Sequence, residues 1–278
     1  MMVVTPRPAA SVILVRETDA RSEALLVRKH ASLDFAGGTF VFPGGKIERS
    51  DVLPDELYRG IRARSERHRA HITALCRETF EEIGVLLARH EDGSHCEAAL
   101  VDELNRHREE IDRDPARFRH FLQDNELFIH EEDFLYWANW ITPSLWPKRF
   151  DAHFYVARMP QDQQVKCDTA EATELKWLDL ADFNEVDGAA IIPAAPTLLS
   201  LTDLAIRCRE LGSLDDVLRE ERNRQIPRIM PKMVEQGEAV VSLMPWHRDY
   251  AAAPGEGVEA CAVPDFYHAF SAREVWQP

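Results

Sequence analysis

Short runs of apolar and β-branched residues, bounded by polar or glycine-containing turns, recur along the chain and predict strands. The runs of this kind are Ser11–Arg16, Ala24–Lys29, Thr39–Phe42, Val85–Arg89, Leu135–Ile141, Phe150–Arg158, Leu175–Asp179 and Ala239–Leu243. The third run stops at Pro43-Gly44-Gly45, and because proline and glycine do not readily continue a strand ladder, a sharp loop is expected there. The chain is therefore expected to begin with a pair of strands, a short third strand and a loop.

Segments with a helical spacing of apolar residues lie between and after these strands. His71–Ile83 has the strongest pattern, and it ends at Gly84, a residue suited to the left-handed position that follows a helix. The other helical segments are Asp55–His68, Glu97–Asp112, Pro115–Gln123, a turn at Leu180–Phe183 and two helices within Thr197–Arg224 that meet near Gly212. Strands and helices in this order predict an α+β fold, in which helices cover a mixed sheet.

Three glutamates lie together on the side of the His71–Ile83 helix opposite its apolar stripe. Glu78, Glu81 and Glu82 fall within about 100° of one another on a helical wheel. Like charges at this spacing repel by about 0.2–0.5 kcal/mol per pair, and a bound divalent cation would turn that repulsion into attraction. This segment is therefore interpreted either as a solvated acidic helix face or as a site for a cation such as Mg²⁺.

The charge and cysteine content of the chain limit the classes of molecule that it is expected to bind and the compartment in which it is expected to occur. The 278 residues carry 33 Lys and Arg against 48 Asp and Glu, a formal net charge of −15. This balance argues against a general nucleic-acid-binding protein, whose affinity depends on Lys and Arg, and an anionic small molecule would need a local positive charge or a bound cation. No apolar run approaches the ~20 residues that cross a bilayer, so no membrane association is expected. Five scattered cysteines without a CxxC pair indicate a reducing compartment, and a cytoplasmic location is expected.

Two segments together resemble the Nudix box, whose pattern is Gly-x5-Glu-x7-Arg-Glu-apolar-x-Glu-Glu-x-Gly-apolar. They are FPGGKIE at 42–48 and RETFEEIGV at 77–85. The matching residues are Gly45, Arg77, Glu78, Glu81, Glu82, Gly84 and Val85. The sequence departs from the box at Asp51, which replaces its first glutamate, at Thr79, which stands at an apolar position, and in a spacer of 25 residues before Arg77. Because loop-closure entropy grows slowly with length, such an insertion preserves the site if its ends meet.

The layout around the box resembles one branch of this superfamily, the peroxisomal coenzyme A diphosphatases of animals. The segments that carry this likeness are FAGGTFVFPGG at 35–45, WANWITP at 137–143, RFDAHFYVA at 149–157 and TELKWLD at 173–179. The resemblance implies a Nudix α/β/α sandwich with a mixed sheet over residues 10–185, helical insertions near 52–70 and 94–130, and a C-terminal helical extension, 186–278, packed on it. Some relatives have a coenzyme-A-recognition element before the box, and Asp34 stands where that element has an arginine.

The resemblance also implies a reaction, in which water attacks one phosphorus of a pyrophosphate with the help of Mg²⁺ or Mn²⁺. The metal ligands that it implies are Gly44, through its carbonyl, Glu78, Glu81 and Glu82. Glu78 is alternatively the base that activates the water. Arg77 is expected to act with these carboxylates and to fix their positions by pairing with Glu78, Asp51 or Glu48.

Further residues are candidates for the substrate and for a distal base. Lys46, Arg28 and Arg149 are expected to meet phosphate, with a surface role as the alternative for each. The acids that could act as a base from a distant loop are Glu131, Glu132, Asp133, Glu171 and Glu174. A surface carboxylate is the alternative for each of them.

The expected function is metal-dependent hydrolysis of a diphosphate bond in a small nucleoside-diphosphate-linked substrate. Coenzyme A or acyl-coenzyme A is the first substrate that the resemblance suggests, and ADP-ribose or a dinucleotide is the second. A Nudix-fold module that binds without catalysis is a further alternative, although three crowded carboxylates have no purpose in an inactive site. The resemblance also suggests a homodimer.

Overall fold

The computed structural model describes residues 3–18, 21–32, 36–60, 65–167, 172–181, 194–236 and 239–262. The strands are β1 (Arg7–Glu17), β2 (Ser22–Lys29), β3 (Phe40–Val41), β4 (Gly44–Lys46), β5 (Tyr58–Arg59), β6 (Ile129–His130), β7 (Leu135–Ile141), β8 (Phe150–Arg158), β9 (Ala172–Asp179), β10 (Arg228–Ile229), β11 (Lys232–Gln236) and β12 (Ala239–Leu243). The helices are α1 (Glu66–Ile83), α2 (Ala98–Leu104), α3 (Arg108–Arg113), α4 (Arg117–Asp124), α5 (Ala195–Leu211) and α6 (Leu214–Glu220).

One mixed sheet of eight strands organises the chain. Its main path runs β10-β7-β8-β1-β2-β3, with β4 paired to β1 and β9 paired to β2. The pairs β1–β8 and β7–β10 are parallel, whereas β1–β2, β1–β4 and β7–β8 are antiparallel. Helices cover this sheet, and the predicted α+β fold is therefore confirmed.

The two faces of the sheet belong to two separate hydrophobic cores. Val12 and Leu14 of β1 point into one core with α1, α2, α3 and α4, while Ile13 and Val15 point into the other core with α5 and α6. All four side chains are fully buried. A strand that is buried on both faces needs a continuous apolar run, which is why SVILV shows no alternation of polar and apolar residues.

Helix α1 carries the acidic segment and is longer than the sequence predicted. It begins after Ser65, whose hydroxyl accepts a hydrogen bond from the amide of His68, and it ends at Gly84, which has a φ of 67°. The predicted apolar stripe is buried as expected. The prediction of a helix throughout Asp55–His68 is wrong, because a 3₁₀ turn and β5 occupy its first part and β5 pairs with the distant strand β6.

Two other local predictions need correction. Val85–Arg89 is not a strand, since only isolated bridges form there, from Arg89 to His95 and to Phe128. The C-terminal region is not only helical, because β10 extends the main sheet beside β7 and β11 pairs with β12. The two predicted helices that meet near Gly212 are confirmed. The proposed domain boundary at residues 185–186 lies outside the described residues. Within the described ranges, no helix is both long and apolar enough to cross a membrane.

Candidate active site

Strand β4 brings a pair of glycines against β1 at the centre of the sheet. Ser11 pairs with Gly44 and Ala10 with Gly45 in an antiparallel register. Gly44 has a φ of 145°, and a Cβ on it would lie 2.3 Å from the carbonyl oxygen of Ala10. Only glycine fits there, because a side chain would collide with rigid backbone. The residues that follow Phe42 therefore do not form a loop alone. They form β4, which lies unusually close to β1.

The last turns of α1 lie directly on this glycine pair. A Cβ on Gly45 would stand 2.4 Å from the carboxylate of Glu78, so the carboxylate rests on bare backbone. The amide of Gly44 donates to Oε2 of Glu82 at 3.0 Å. The two separated segments of the Nudix box therefore meet in the structure. The interpretation of the acidic segment as a solvated helix face is wrong, because Glu81 and Glu82 are only 7% and 5% exposed.

Arg77 is the centre of the carboxylate cluster. Its side chain is 2% exposed, and its Nε and Nη2 donate to the two oxygens of Asp51 at 2.9 and 3.1 Å. Its Nη1 donates to Glu78 at 3.1 Å and to Glu81 at 2.9 Å, and its Nη2 also reaches the carbonyl of Lys46 at 3.0 Å. The expected pairing of Arg77 with Asp51 and Glu78 is confirmed. Arg77 thereby joins the start of the insertion to the carboxylates of α1.

Asp51 fills the place of the glutamate that the box would have. It is 1% exposed, and its Oδ2 also accepts the amide of Glu48 at 2.8 Å. Burial alone would lower the pKa of the Arg77 guanidinium. The hydrogen bonds to Asp51 and the charges of Glu78 and Glu81 outweigh burial, so this pKa lies above its usual value. Arg77 therefore stays charged, and its hydrogen bonds hold the carboxylates in place.

A second cation, Lys29, was not anticipated from the sequence. It lies at the end of β2 and forms an ion pair with Oε1 of Glu82, with side-chain exposures of 13% and 5%. A lysine at a strand end is usually solvated, and it stands more than 50 positions from Glu82 in the chain. No spacing rule in the sequence could connect the two.

The cluster carries more negative than positive charge. Burial raises the pKa of Glu78 to about 8, with Arg77 opposing the rise and Glu82 and Glu81 adding to it. Burial also raises the pKa of Glu81 to about 7, again against the effect of Arg77. With all four carboxylates ionised, the joined side chains of Asp51, Glu78, Glu81 and Glu82 have four negative charges against the two positive charges of Lys29 and Arg77, a formal sum of 2 − 4 = −2. The raised pKa values of Glu78 and Glu81 mean that this full ionisation is disfavoured without a further cation.

These residues fit a divalent cation. The donors are all carboxylate oxygens, which Mg²⁺ and Mn²⁺ prefer, and the formal charge of −2 matches one such ion. Oε1 of Glu81 is buried and has no hydrogen-bond partner among the described residues. In the described part of the chain no three His, Cys, Asp or Glu side chains already converge as a metal site. Lys29 and Arg77 engage the carboxylates instead, so a cation would have to rearrange these contacts.

The three predicted phosphate-binding residues lie in different surroundings. Lys46 is exposed next to Gly45. Arg28 is 48% exposed, and it donates to the carbonyl of Gly38 at 3.2 Å and to Glu174 at 3.4 Å. Both side chains can reach solvent, and their role in phosphate binding stays a prediction.

The structure contradicts the prediction that Arg149 binds phosphate. It is 2% exposed, and its guanidinium donates to the carbonyls of Val4 at 2.6 Å and Thr142 at 3.0 Å, and to the sulfur of Met230 at 3.2 Å. A guanidinium so enclosed by structural partners is not available to a substrate. Arg149 instead ties the N-terminal segment to the sheet.

The candidate distal acids are mostly held by arginines. Glu131 is 1% exposed and accepts from Nε of Arg69 at 3.0 Å, and Asp133 pairs with Arg89. Glu132 lies against Gly60 and His130. Glu174 pairs with Arg28, as described above, and Glu171 and Asp34 lie outside the described residues. The role of a distal base stays a prediction for these acids.

Known proteins are similar to parts of this chain in sequence. The NUDT19 Nudix domain family matches residues 66–197. The Acyl-coenzyme A diphosphatase NUDT19 of Xenopus laevis is 28% identical over 197 residues, which cover 56% of this chain and 52% of that protein. A Caenorhabditis elegans protein named as a nudix hydrolase is 27% identical over 173 residues, which cover 62% of this chain and 51% of that protein. The chain thus spans about half the length of the relatives that it matches.

A solved structure agrees with the fold. The crystal structure of a NUDIX hydrolase from Alicyclobacillus acidocaldarius superposes with a TM-score of 0.65 at 22% identity, covering 77% of this chain and 96% of that one. At this identity the likeness concerns the fold alone. The predicted Nudix fold is therefore confirmed by a solved structure, and residues 66–197 of this chain match the NUDT19 Nudix domain family.

Proposed function

We propose that this chain hydrolyses the diphosphate bond of a nucleoside-diphosphate-linked substrate with Mg²⁺ or Mn²⁺, and that coenzyme A or an acyl-coenzyme A is that substrate. The observation that carries the proposal is the assembly of Glu78, Glu81 and Glu82 against Gly44-Gly45, in a cluster whose formal charge is −2 when every carboxylate is ionised. A buried excess of negative charge is costly unless a cation neutralises it. A substrate that brings phosphates to these carboxylates needs the same cation.

Each residue of the carboxylate cluster has a separate role in the proposed reaction. A bound divalent cation would supply the charge that lowers the pKa of a water molecule and offsets charge developing on the phosphate oxygens. Glu81 and Glu82 would hold that cation, and the amide of Gly44 orients Glu82. Glu78 would either join them or accept a proton from the attacking water on a carboxylate oxygen. Arg77 touches three of the four carboxylates and keeps them in place.

The choice of substrate rests on the relatives and on exposed cations. The Xenopus laevis relative is named an acyl-coenzyme A diphosphatase. Arg28 at the end of β2 and Lys46 on β4 would offer positive charge to the remaining phosphates. Asp34, which replaces an arginine of the coenzyme-A-recognition element, favours ADP-ribose or a dinucleotide as the second candidate class.

A substrate panel tests the proposal. The full chain with Mg²⁺ is incubated with coenzyme A, an acyl-coenzyme A, ADP-ribose and a diadenosine polyphosphate, and the products are identified by mass spectrometry. Release of phosphopantetheine or its acyl form, abolished by EDTA, is the expected result. Release of AMP from the other substrates alone would shift the proposal to the second class. Turnover of none of them would favour a binding module.

Glu82→Gln is the matched variant for this assay. The amide side chain still accepts from Gly44, so the fold is kept, but it loses the charge that would bind the cation. We expect kcat to fall by about two orders of magnitude or more, with only a small change in the unfolding temperature. Glu103→Gln, on the exposed side of α2 at 58% exposure, is the control and should leave kcat unchanged. Near-normal turnover of Glu82→Gln would remove Glu82 from the mechanism.

A further inference from the structure

The ion pair between Lys29 and Glu82 occupies a carboxylate that the proposed reaction needs. Glu82 uses Oε2 to accept the amide of Gly44 at 3.0 Å and Oε1 to bind the ammonium of Lys29. Both partners are largely shielded from water, at 13% and 5% exposure. The attraction between them is therefore screened less than that of a surface pair. A metal ion and Lys29 would be competing for the same oxygen.

The backbone of β2 directs Lys29 to this place. Side chains alternate along the strand, and Val27 faces the core that contains α1, so Lys29 follows it on the same face. The pairing of β2 with β9 shifts its register between Arg28 and Lys29, since Arg28 pairs with Glu174 and Lys29 with Ala172. Lys29 is also held by its main chain, which exchanges hydrogen bonds with Thr39 and Gly38 at 3.1 and 3.0 Å.

We propose that Lys29 is a built-in competitor of the divalent cation, holding Glu82 in the metal-free protein and leaving it when the cation binds. This inference rests on the proposed function, because it takes Glu82 to be a metal ligand. Without Lys29 the joined side chains would carry 1 − 4 = −3 instead of −2. Lys29 thereby reduces the negative charge of the carboxylate cluster while no metal is present, at the expense of affinity for the metal.

Removal of the charge at residue 29 should strengthen metal binding. Mn²⁺ binding is measured without substrate, from the electron paramagnetic resonance signal of free Mn²⁺, for the wild type, Lys29→Met and Lys29→Arg. We expect Lys29→Met to lower the Kd for Mn²⁺ by about tenfold or more, because one positive charge no longer opposes the ion. Lys29→Arg keeps the charge and should stay near the wild-type value. Circular dichroism confirms that each variant is folded.

Lys166→Met is the control for a general change in net charge. Lys166 is 41% exposed and pairs with Asp102 at 2.5 Å, so its removal should leave the Kd for Mn²⁺ unchanged. An unchanged or weaker affinity of Lys29→Met, with Mn²⁺ bound by the wild type, would overturn the competition and leave the proposed function standing. If neither the wild type nor Lys29→Met binds Mn²⁺, the competition and the metal dependence both fail. Binding by Lys29→Met alone would support the competition in its strongest form.

A second measurement uses the unaltered protein and does not depend on how a variant folds. Reductive methylation followed by mass spectrometry reports the access of reagent to each lysine. We expect the rate at Lys29 to rise several-fold when Mg²⁺ is added, because its ammonium loses Glu82, while the rate at Lys166 stays constant. A rate at Lys29 that is unchanged or lower with Mg²⁺ would contradict the exchange.

Discussion

At the scale of single residues, the site depends on one buried guanidinium. Arg77 binds three carboxylates and a backbone carbonyl while only 2% of its side chain is exposed. Planar, bidentate contact with Asp51 gives it a fixed orientation that lysine could not reproduce. A buried charge of this kind is tolerable only while its partners remain.

Removal of the Asp51 carboxylate should therefore lower the free energy of unfolding strongly. We expect Asp51→Ala to lower the free energy of unfolding by about 3–5 kcal/mol, because it leaves Arg77 buried without its bidentate partner. The measurement is urea unfolding at neutral pH. Asp55→Ala is the control, since Asp55 is 85% exposed and its pair with Arg69 should contribute at most about 1 kcal/mol. Equal losses for the two variants would show that Asp51 does not hold Arg77.

The sequence identified the residues of this network that share a helix, and Asp51 through the box pattern, but it missed Lys29. Glu78, Glu81 and Glu82 were found because their spacing places them on one side of α1. Lys29 was missed because its partner is set by the packing of β2 against α1, which no local pattern encodes. Arg149 was misassigned for the same reason. Its guanidinium group suggested phosphate binding. In the structure this group donates hydrogen bonds to backbone carbonyls and to Met230, so its role is structural.

At the scale of elements, the approach of β4 to α1 shapes the carboxylate cluster. We expect Gly45→Ala to lower kcat far more than it lowers stability, because its Cβ would displace the carboxylate of Glu78 from a distance of 2.4 Å. Gly212→Ala is the control at the end of α5, where φ is 97° and no atom lies within 4 Å of the added Cβ. It should cost about 1 kcal/mol of strain and leave kcat unchanged.

Steady-state kinetics and thermal unfolding of both glycine variants check this expectation. A Gly45→Ala protein with normal kcat would mean that Glu78 can move without consequence. An inactive Gly212→Ala protein would mean that activity responds to any backbone strain.

The interface between α1 and β8 contains a buried histidine that couples folding to pH. His71 is 4% exposed, its Nδ1 lies 3.2 Å from the hydroxyl of Tyr155, and its ring centroid lies 4.0 Å from that of His153. Burial, together with the charges of His153 and Arg67, lowers the pKa of His71 to about 3. On the same two elements His68 also lowers this pKa, whereas Asp151 opposes the shift.

The direction of the resulting pH dependence follows from linkage. In the unfolded chain the pKa of a histidine is about 6.5, so between there and the folded value the unfolded state binds more protons. The free energy of unfolding should therefore fall as the pH falls below 6.5, by about 2 kcal/mol between pH 6.5 and pH 5 from His71 alone. His71→Gln should lose less stability over this interval than the wild type, and the exposed His120→Gln should behave like the wild type. Parallel losses in all three proteins would contradict this account.

At the scale of the whole molecule, the sequence predicted the sheet and its two layers well. Continuous apolar runs such as those of β1 and β2 are typical of strands that are buried on both faces of a sheet. Short elements were harder, because β5, β6 and β10 are two-residue strands that exist only through pairing with distant partners. The C-terminal region was therefore predicted to be mainly helical with one strand, Ala239–Leu243, which β12 confirms, whereas β10 and β11 were not predicted.

The central claim, that the carboxylates of α1 hold a divalent cation against the Gly44-Gly45 turn, can be tested most directly by crystallography. Crystals of the full chain are soaked in Mn²⁺, and diffraction data are collected at the manganese absorption edge. The account predicts an anomalous peak at about 2.2 Å from carboxylate oxygens of Glu81 and Glu82, with Lys29 withdrawn from Glu82. A map without a peak there, with Lys29 still bound to Glu82 at saturating Mn²⁺, would contradict it.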